Sequence, residues 1–400
     1  MSIYPFGDIG EFEKFRSVAM EDLTTGRVRL RLRQAGDGRS IVRIYYGPPG
    51  TGKTLVAVQK AVELADPSFT EIDDFRACFE HFTTVLADRA VFVTFHQALQ
   101  YEDVVESIRP VLVEEEEEEG EEEREPESAE LLYRLHAGPL MRILRAALDD
   151  HHSDYVLVID EINRGDISRI LGPLISALEP DKRLGASYPV GFDSQYPRSG
   201  EDSRIFMPSN LHVIGTMNSA DRNIALVDHA LRRRFEFVEV PPDPALLGGT
   251  AGPPSLDLEA LLRALNRRIA FLLGKEHEIG HGYLIGCETD EEVVERFARR
   301  ILPLLGEYFY GNEAGLLLVL GDRIGGERNI HQVETAADTF ESVFGRGLDS
   351  ALELGYRSQQ AQLSLAVDPR FWDARRLPPG PGDLPFAVEA LAKIYQPPSP

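Results

Sequence analysis

Apolar residues gather in five short runs: Ile41–Tyr46, Val91–Phe95, Tyr155–Ile159, Leu211–Gly215 and Phe235–Val240. Runs of this length, separated by segments with helical spacing, predict strands buried on both faces of one parallel sheet. Lys53 to Ala65 reads as a helix following the first run. From about Leu256 the spacing becomes helical throughout, first over Leu258 to Ile269 and then over Glu292 to Leu305, which predicts a separate helical domain. Residues 179–210 mix Pro, Gly, Ser and charge, and predict an inserted hairpin or loop. Residues 367–400 are Pro-rich and hold one last helix, Phe386 to Tyr395. At the other end, Glu11 to Leu23 suits a short helix. Arg27 to Arg33 alternates strictly, so a strand there would bury Val28, Leu30 and Leu32 and expose four arginines. Such a strand is a charge-protected edge before it is a basic docking strip.

Charge changes this picture in one place. Glu114–Glu119, Glu121–Glu123, Glu125 and Glu127 put eleven carboxylates into one stretch of a chain whose formal net charge is −24. Like charges in such a run repel and cannot pack, so residues 113–128 read as an exposed acidic insertion. The balance stays acidic without it, which argues against bulk attraction to nucleic acid or to an anionic membrane. The two cysteines, Cys78 and Cys287, are far apart and suggest a reducing compartment. The first residues carry no apolar leader and no run reaches membrane-spanning length, so the expected location is the cytoplasm.

The chemistry begins where the first run ends. Gly47, Pro48, Pro49, Gly50, Thr51, Gly52, Lys53 and Thr54 form the pattern G-x-x-x-x-G-K-[ST] between a predicted strand and a predicted helix. Glycines let successive backbone N–H groups turn towards phosphate oxygens, at a helix N-terminus that favours anions. Lys53 would reach the β- and γ-phosphates, and the Thr54 hydroxyl would hold Mg²⁺. The third run ends in Asp160-Glu161, where Asp160 would serve Mg²⁺ and Glu161 would take a proton from attacking water. The fourth run ends in Gly215-Thr-Met-Asn-Ser-Ala-Asp-Arg222. Its Asn218 can orient that water, while a turn capping the following helix is a serious alternative for Asp221 and Arg222. Arg232, Arg233 and Arg234 precede the fifth run and point in different directions. One or two of them could cross to a neighbouring subunit's phosphates.

In these motifs the chain resembles the AAA+ NTPases of the McrB family, motor subunits of modified-cytosine restriction systems. The resemblance rests on Gly47–Thr54, Thr94-Phe-His-Gln97, Asp160-Glu-Ile-Asn-Arg164, Gly215–Arg222, Ala230-Leu-Arg-Arg-Arg-Phe235, Ile279-Gly-His-Gly-Tyr283 and Pro303-Leu-Leu-Gly-Glu-Tyr-Phe309, over about residues 40–325. It implies an α/β AAA+ P-loop core with a five-stranded parallel sheet flanked by helices, followed by a helical lid. The implied domains are a lead-in (1–40), the core (41–250), the lid (251–330) and a C-terminal extension (331–400). It further implies a ring, a hexamer, with ATP or GTP as substrate and Mg²⁺ as cofactor. Asn218 and Asp221 would position water, Arg233 and Arg234 would act in trans, and a separate McrC-like nuclease subunit would be the partner. The family usually carries a DNA-recognition domain ahead of the motor. Only about forty residues precede the loop in this sequence, so DNA is expected to be reached through the partner. A MoxR-like chaperone ATPase shares fold and site words and is the alternative reading. A scaffold that only binds nucleotide would have no need of Glu161.

His277-Glu278-Ile279-Gly280-His281 also matches the zinc-protease pattern H-E-x-x-H. Gly280 weakens the helix that pattern requires, no third ligand follows at the expected spacing, and the same residues belong to the lid word.

Overall fold

A computed structural model of the chain describes residues 40–113, 130–196, 204–221, 232–248, 252–322, 330–335, 363–368, 370–371 and 383–396. The predicted helix over Glu11–Leu23, the Arg27–Arg33 strand, the acidic run and Arg222 lie outside these residues.

Five strands form the main sheet: β1 (Val42–Gly47), β2 (Ala90–Thr94), β5 (Tyr155–Asp160), β8 (Leu211–Asn218) and β9 (Glu236–Glu239), in the order β2-β5-β8-β1-β9. It is a parallel sheet flanked by helices, with Val91 opposite Leu157 and Val158 opposite Ile214. Central strands β5 and β8 are buried along nearly their whole length, while edge strands β2 and β9 alternate or open to solvent. Flanking helices explain why the central strands read as continuous apolar runs. Lys53–Ala65 is helical over the residues expected from the sequence. Amphipathic helix Pro139–Asp149, with proline at its start, buries Leu140, Met141, Ile143, Leu144 and Ala147 along one face.

Two antiparallel hairpins interrupt the alternation of strand and helix. β3 (Glu106–Val113) and β4 (Glu130–Ala137) pair with Arg109 opposite Arg134 and Pro110 opposite Tyr133. The short pair β6 (Gly191–Asp193) and β7 (Arg204–Phe206) lies within residues 179–210. The buried carboxylate of Glu106 ties the two hairpins, accepting from the Ser194 hydroxyl and, at 3.1 Å, from the Gln195 N–H. Arg183 is fully buried at the stem of the second hairpin. It spends its guanidinium on the carbonyls of Leu178, Pro208 and Leu211, at 2.8–3.2 Å. Burial without a carboxylate pulls its pKa down to about 9.

Clustered by internal contacts, the chain forms two compact units. The first takes its described residues from 40–44, 57–215 and 232–236, the second from 45–56, 216–221 and 237–396. In the second, helix Leu258–Leu273 starts at Asp257, whose carboxylate accepts from the Ala260 N–H, and it buries Leu258, Leu261, Leu262, Leu265, Asn266 and Ile269. That spacing is a helical stripe, and it forms one core with Val293, Val294, Phe297, Leu305, Leu391 and Ile394. Helix Asp290–Arg296 opens with a Thr289/Glu292 capping box. A π turn, Phe297–Ile301, then leads into helix Leu302–Tyr308, where Pro303 has no N–H to give. The last helix, Leu384–Tyr395, packs Ala387, Ala390 and Leu391 into the same core. Strands β10 (His331–Thr335) and β11 (Leu363–Val367) form a further antiparallel pair.

Candidate active site

The phosphate-loop word turns sharply where β1 ends. A side chain on Gly47 would place its Cβ 2.3 Å from the Val240 carbonyl oxygen, so only glycine fits. Gly50 and Gly52 take φ of +78° and +83°, the left-handed region that L-residues avoid. The helix begins at Lys53 directly after the second of these. Lys53 is 7% exposed, and its ammonium donates to the Pro48 carbonyl at 2.7 Å. Thr51 donates its hydroxyl to the same carbonyl at 3.1 Å. Thr54, in the first helical turn, is exposed. The loop is therefore closed on itself through Pro48 while its helix end stays open to solvent.

The acid pair sits in the first unit. Asp160 ends β5, and its carbonyl accepts the Phe95 N–H at 2.9 Å. Glu161 follows with φ 54° and ψ 44°, and it alone takes a positive φ among the described non-glycine residues. That conformation costs roughly 1–3 kcal/mol and persists only where the surroundings enforce it. Arg164 helps: its Nε lies 3.1 Å from Glu161 Oε2. Between them the Asn163 amide is buried with neither oxygen nor nitrogen hydrogen-bonded. Leaving such a group unpaired costs about 1–3 kcal/mol.

The three arginines separate by environment. Arg234 is 9% exposed along its side chain and donates to Glu179 Oε1 at 2.8 Å. Lys182 engages the other oxygen of that carboxylate, and these two cations hold Glu179 below the usual glutamate range. Arg232 and Arg233 are exposed. Asn218 ends β8, and Asp221 follows it after a bend.

Two family models match the chain: an AAA domain of the dynein-related subfamily over residues 76–235, and the McrB alpha-helical lid domain over residues 257–316. The first span contains Asp160, Glu161, Asn218, Asp221, Arg233 and Arg234. The chain is also similar to the EcoKMcrB subunit of a type IV methyl-directed restriction enzyme of Escherichia coli K12. The two are 31% identical over 284 residues, 67% of this chain and 53% of that protein. It is 29% identical to the YdiS component of the type II restriction enzyme BsuMI of Bacillus subtilis 168, over 50% of this chain and 57% of that protein.

The chain belongs to the McrB-type AAA+ NTPases.

It spans a little over half the length of the curated relatives it matches. No helix among the described residues is long and apolar enough to cross a membrane. Within the McrB-type lid, the H-E-x-x-H letters fall on two separate 3-10 turns, Lys275–His277 and His281–Tyr283, rather than on one helix. Buried His281 instead accepts the Asp243 N–H on Nδ1 at 3.0 Å, and burial holds its pKa below the usual histidine value. The lid unit also holds the Asn218 word, because Ser219 donates its hydroxyl to the Glu276 carbonyl at 3.0 Å. Tyr308 carries no mark in the sequence beyond its place in the Pro303–Phe309 word. Its hydroxyl is buried without a hydrogen bond, and burial, with Tyr283 and Asp221 nearby, raises its pKa.

Proposed function

We propose that this McrB-type chain hydrolyses a nucleoside triphosphate, ATP or GTP, and serves as the ring-forming motor of a restriction complex. The observation that carries the reading is the loop with two left-handed glycines leading into a helix whose first residue is the buried Lys53. Such a loop turns backbone N–H groups and a helix N-terminus towards phosphate oxygens. On binding, the Lys53 ammonium exchanges the Pro48 carbonyl for the β- and γ-phosphates. The Thr54 hydroxyl and the Asp160 carboxylate are oxygen donors of the kind a hard cation takes, which fits Mg²⁺. When bound, that ion neutralises phosphate charge. Glu161 accepts the proton of the attacking water, its direction set by a left-handed backbone and by Arg164. Asn218 and Asp221 orient the water. Arg233 reaches the neighbour's phosphates in a hexameric ring, whereas Arg234 is held by Glu179. The Escherichia coli and Bacillus subtilis relatives are, by name, a subunit and a component of restriction enzymes. By that likeness the partner is a separate nuclease subunit, through which DNA is engaged. Rates of ATP and GTP hydrolysis, with and without the product of a neighbouring nuclease gene, test the reading. Nuclease-stimulated turnover of either nucleotide supports it. Absence of turnover with both overturns it.

A further inference from the structure

The phosphate loop is fastened along its outer side by a turn from the helical lid. Gly280 donates its N–H to the Pro49 carbonyl at 2.9 Å, and Gly282 donates to the Gly50 carbonyl at 2.9 Å. The two backbones touch so closely that a Cβ on Gly280 would stand 2.0 Å from the Gly50 carbonyl carbon and 2.4 Å from the Thr51 nitrogen. A Cβ on Gly282 would stand 2.8 Å from the Gly50 oxygen. Tyr283 closes the grip: its ring lies where a Cβ on Gly50 would come within 2.6 Å of Cδ2 and Cε2. Both glycines of the lid word are therefore needed for approach, and the aromatic ring covers the Gly50 turn.

The turn is anchored as firmly on its other side. The buried Asn266 amide donates to the Ile279 carbonyl and accepts the Ile279 N–H, both at 2.8 Å, so helix Leu258–Leu273 carries the turn as a strand partner would. His281 fixes the next residue to the segment after β9 through Asp243. Pro49 and Gly50 are thus bonded to a turn that is itself bonded to the lid's longest helix. Two backbone hydrogen bonds and a glycine-only approach therefore join the backbone that would cradle phosphates to the lid turn.

We propose that Ile279–Tyr283 is a positioning latch that makes the phosphate grip depend on lid position, with Tyr283 as its lever. The proposal rests on the reading of Gly47–Thr54 as the triphosphate cradle. Tyr283 acts through the loop backbone and not on the reacting atoms. Its loss loosens substrate binding while leaving the proton-accepting and water-orienting groups as they are. The ring and not the hydroxyl covers Gly50, so phenylalanine suffices.

The test uses the full chain with fluorescent methylanthraniloyl GTP and ATP analogues, and compares wild type, Tyr283→Phe, Tyr283→Ala and Lys53→Ala. Tyr283→Ala is expected to release nucleotide about tenfold faster and to raise KM by a similar factor, with kcat within about threefold of wild type. Tyr283→Phe should match wild type in both. Hydrogen exchange gives an independent readout: nucleotide should protect the amides of residues 280–283 together with those of 50–54, and Tyr283→Ala should lose the first protection. If Tyr283→Ala binds and releases nucleotide as wild type does while Lys53→Ala fails to bind, the latch is wrong and the cradle stands. If Lys53→Ala binds as well as wild type, the cradle reading itself falls. A Tyr283→Phe variant as impaired as the alanine variant also overturns the latch as drawn here.

Discussion

Arg234 Nε stands 2.8 Å from Glu179 Oε1, while the neighbouring Arg233 is exposed. The adjacent arginines therefore sit in different environments. Arg234→Ala removes one of two cations from a carboxylate that is 22% exposed, which should cost about 1–2 kcal/mol once solvent screening is allowed for. The melting temperature should drop by a few degrees, and hydrolysis should change only as stability does. Arg233→Ala should leave melting unchanged and cut hydrolysis in the assembled state. Equal thermal losses in the two variants would show that the separation drawn from burial is wrong.

Lys53 is the only side chain of the phosphate-loop word that brings a positive charge. Its ammonium already rests inside the loop, 2.7 Å from the Pro48 carbonyl, so little reorganisation separates it from an incoming phosphate. Lys53→Ala should weaken triphosphate binding by about a hundredfold or more in calorimetry, as expected for a charge-assisted hydrogen-bond donor lost from a cradle. The helix begins at this position and alanine is a good helix former, so the fold should persist. Unchanged affinity would remove the cradle from the loop.

The parts of this molecule that were legible in its sequence are those where one physical demand selects residue type. The buried central strands had to be continuous apolar runs, and the loop had to have glycine at 50 and 52, where φ is positive. The Leu258–Ile269 stripe announced its helix in the same way. Other features depend on partners far along the chain. Strands β3 and β4 carry Pro110 and no clean alternation, and the acidic run separates them, so nothing local marks them as a pair. Arg183 looks like a surface arginine until the carbonyls of Leu178, Pro208 and Leu211 surround it. His281 matched a metal motif by letter, and only the Asp243 N–H shows what its nitrogen accepts. The left-handed backbone of Glu161 has no sequence signature, because a glutamate adopts it only under tertiary constraint.

Asp322 predicts a loss of stability in acid. Its carboxylate is fully buried, accepts the N–H groups of Ile330 and His331, and pairs with Lys393 at 2.9 Å. Burial alone would raise its pKa, but hydrogen bonds from His331 and Lys393, the Lys393 charge and the Ile330 N–H outweigh it and hold the pKa below the usual aspartate value. A carboxylate depressed in the folded state stabilises fully above its unfolded pKa, near 4, and loses that contribution as pH falls through the lower folded value. Asp322→Ala should therefore destabilise the protein by about 2–3 kcal/mol at neutral pH, since it leaves two N–H groups without their acceptor and takes a buried carboxylate from the partly exposed Lys393. The gap between wild type and variant should narrow below about pH 4 in denaturant titrations. A gap that is constant with pH would mean the carboxylate charge is not what stabilises the site.

Glu161 is held in a backbone region unfavourable to it, with its carboxylate against Arg164 at 3.1 Å. A position maintained at such cost points to chemistry rather than to packing. Glu161→Gln preserves size and can still meet the loop's surroundings, but an amide is a far poorer proton acceptor. Nucleotide affinity should stay within a few-fold of wild type, while single-turnover hydrolysis should fall by about 10²–10⁴. Turnover close to wild type would strip Glu161 of the role of base.

The ring can be tested without seeing it. In one chain the loop and Lys53 belong to the second compact unit and Arg233 to the first, so each can be damaged separately. If Arg233 completes a neighbour's site, a Lys53→Ala chain is dead as a nucleotide holder and intact as an arginine donor. An Arg233→Ala chain is the reverse. Neither should hydrolyse alone at more than a small fraction of the wild-type rate, since arginines supplied in trans are worth about 10³–10⁵ in rate. Mixed, they should recover activity at those interfaces where an intact loop meets an intact arginine. Recovery should rise with total protein concentration and with nucleotide, in step with a hexamer seen by light scattering. Arg234→Ala mixed with Lys53→Ala controls for loss of stability, because Arg234 has its Nε engaged by Glu179 of its own subunit. Mixed oligomers that form without recovering activity, together with a monomer that hydrolyses at full rate, would remove both the trans arginine and the ring from the mechanism.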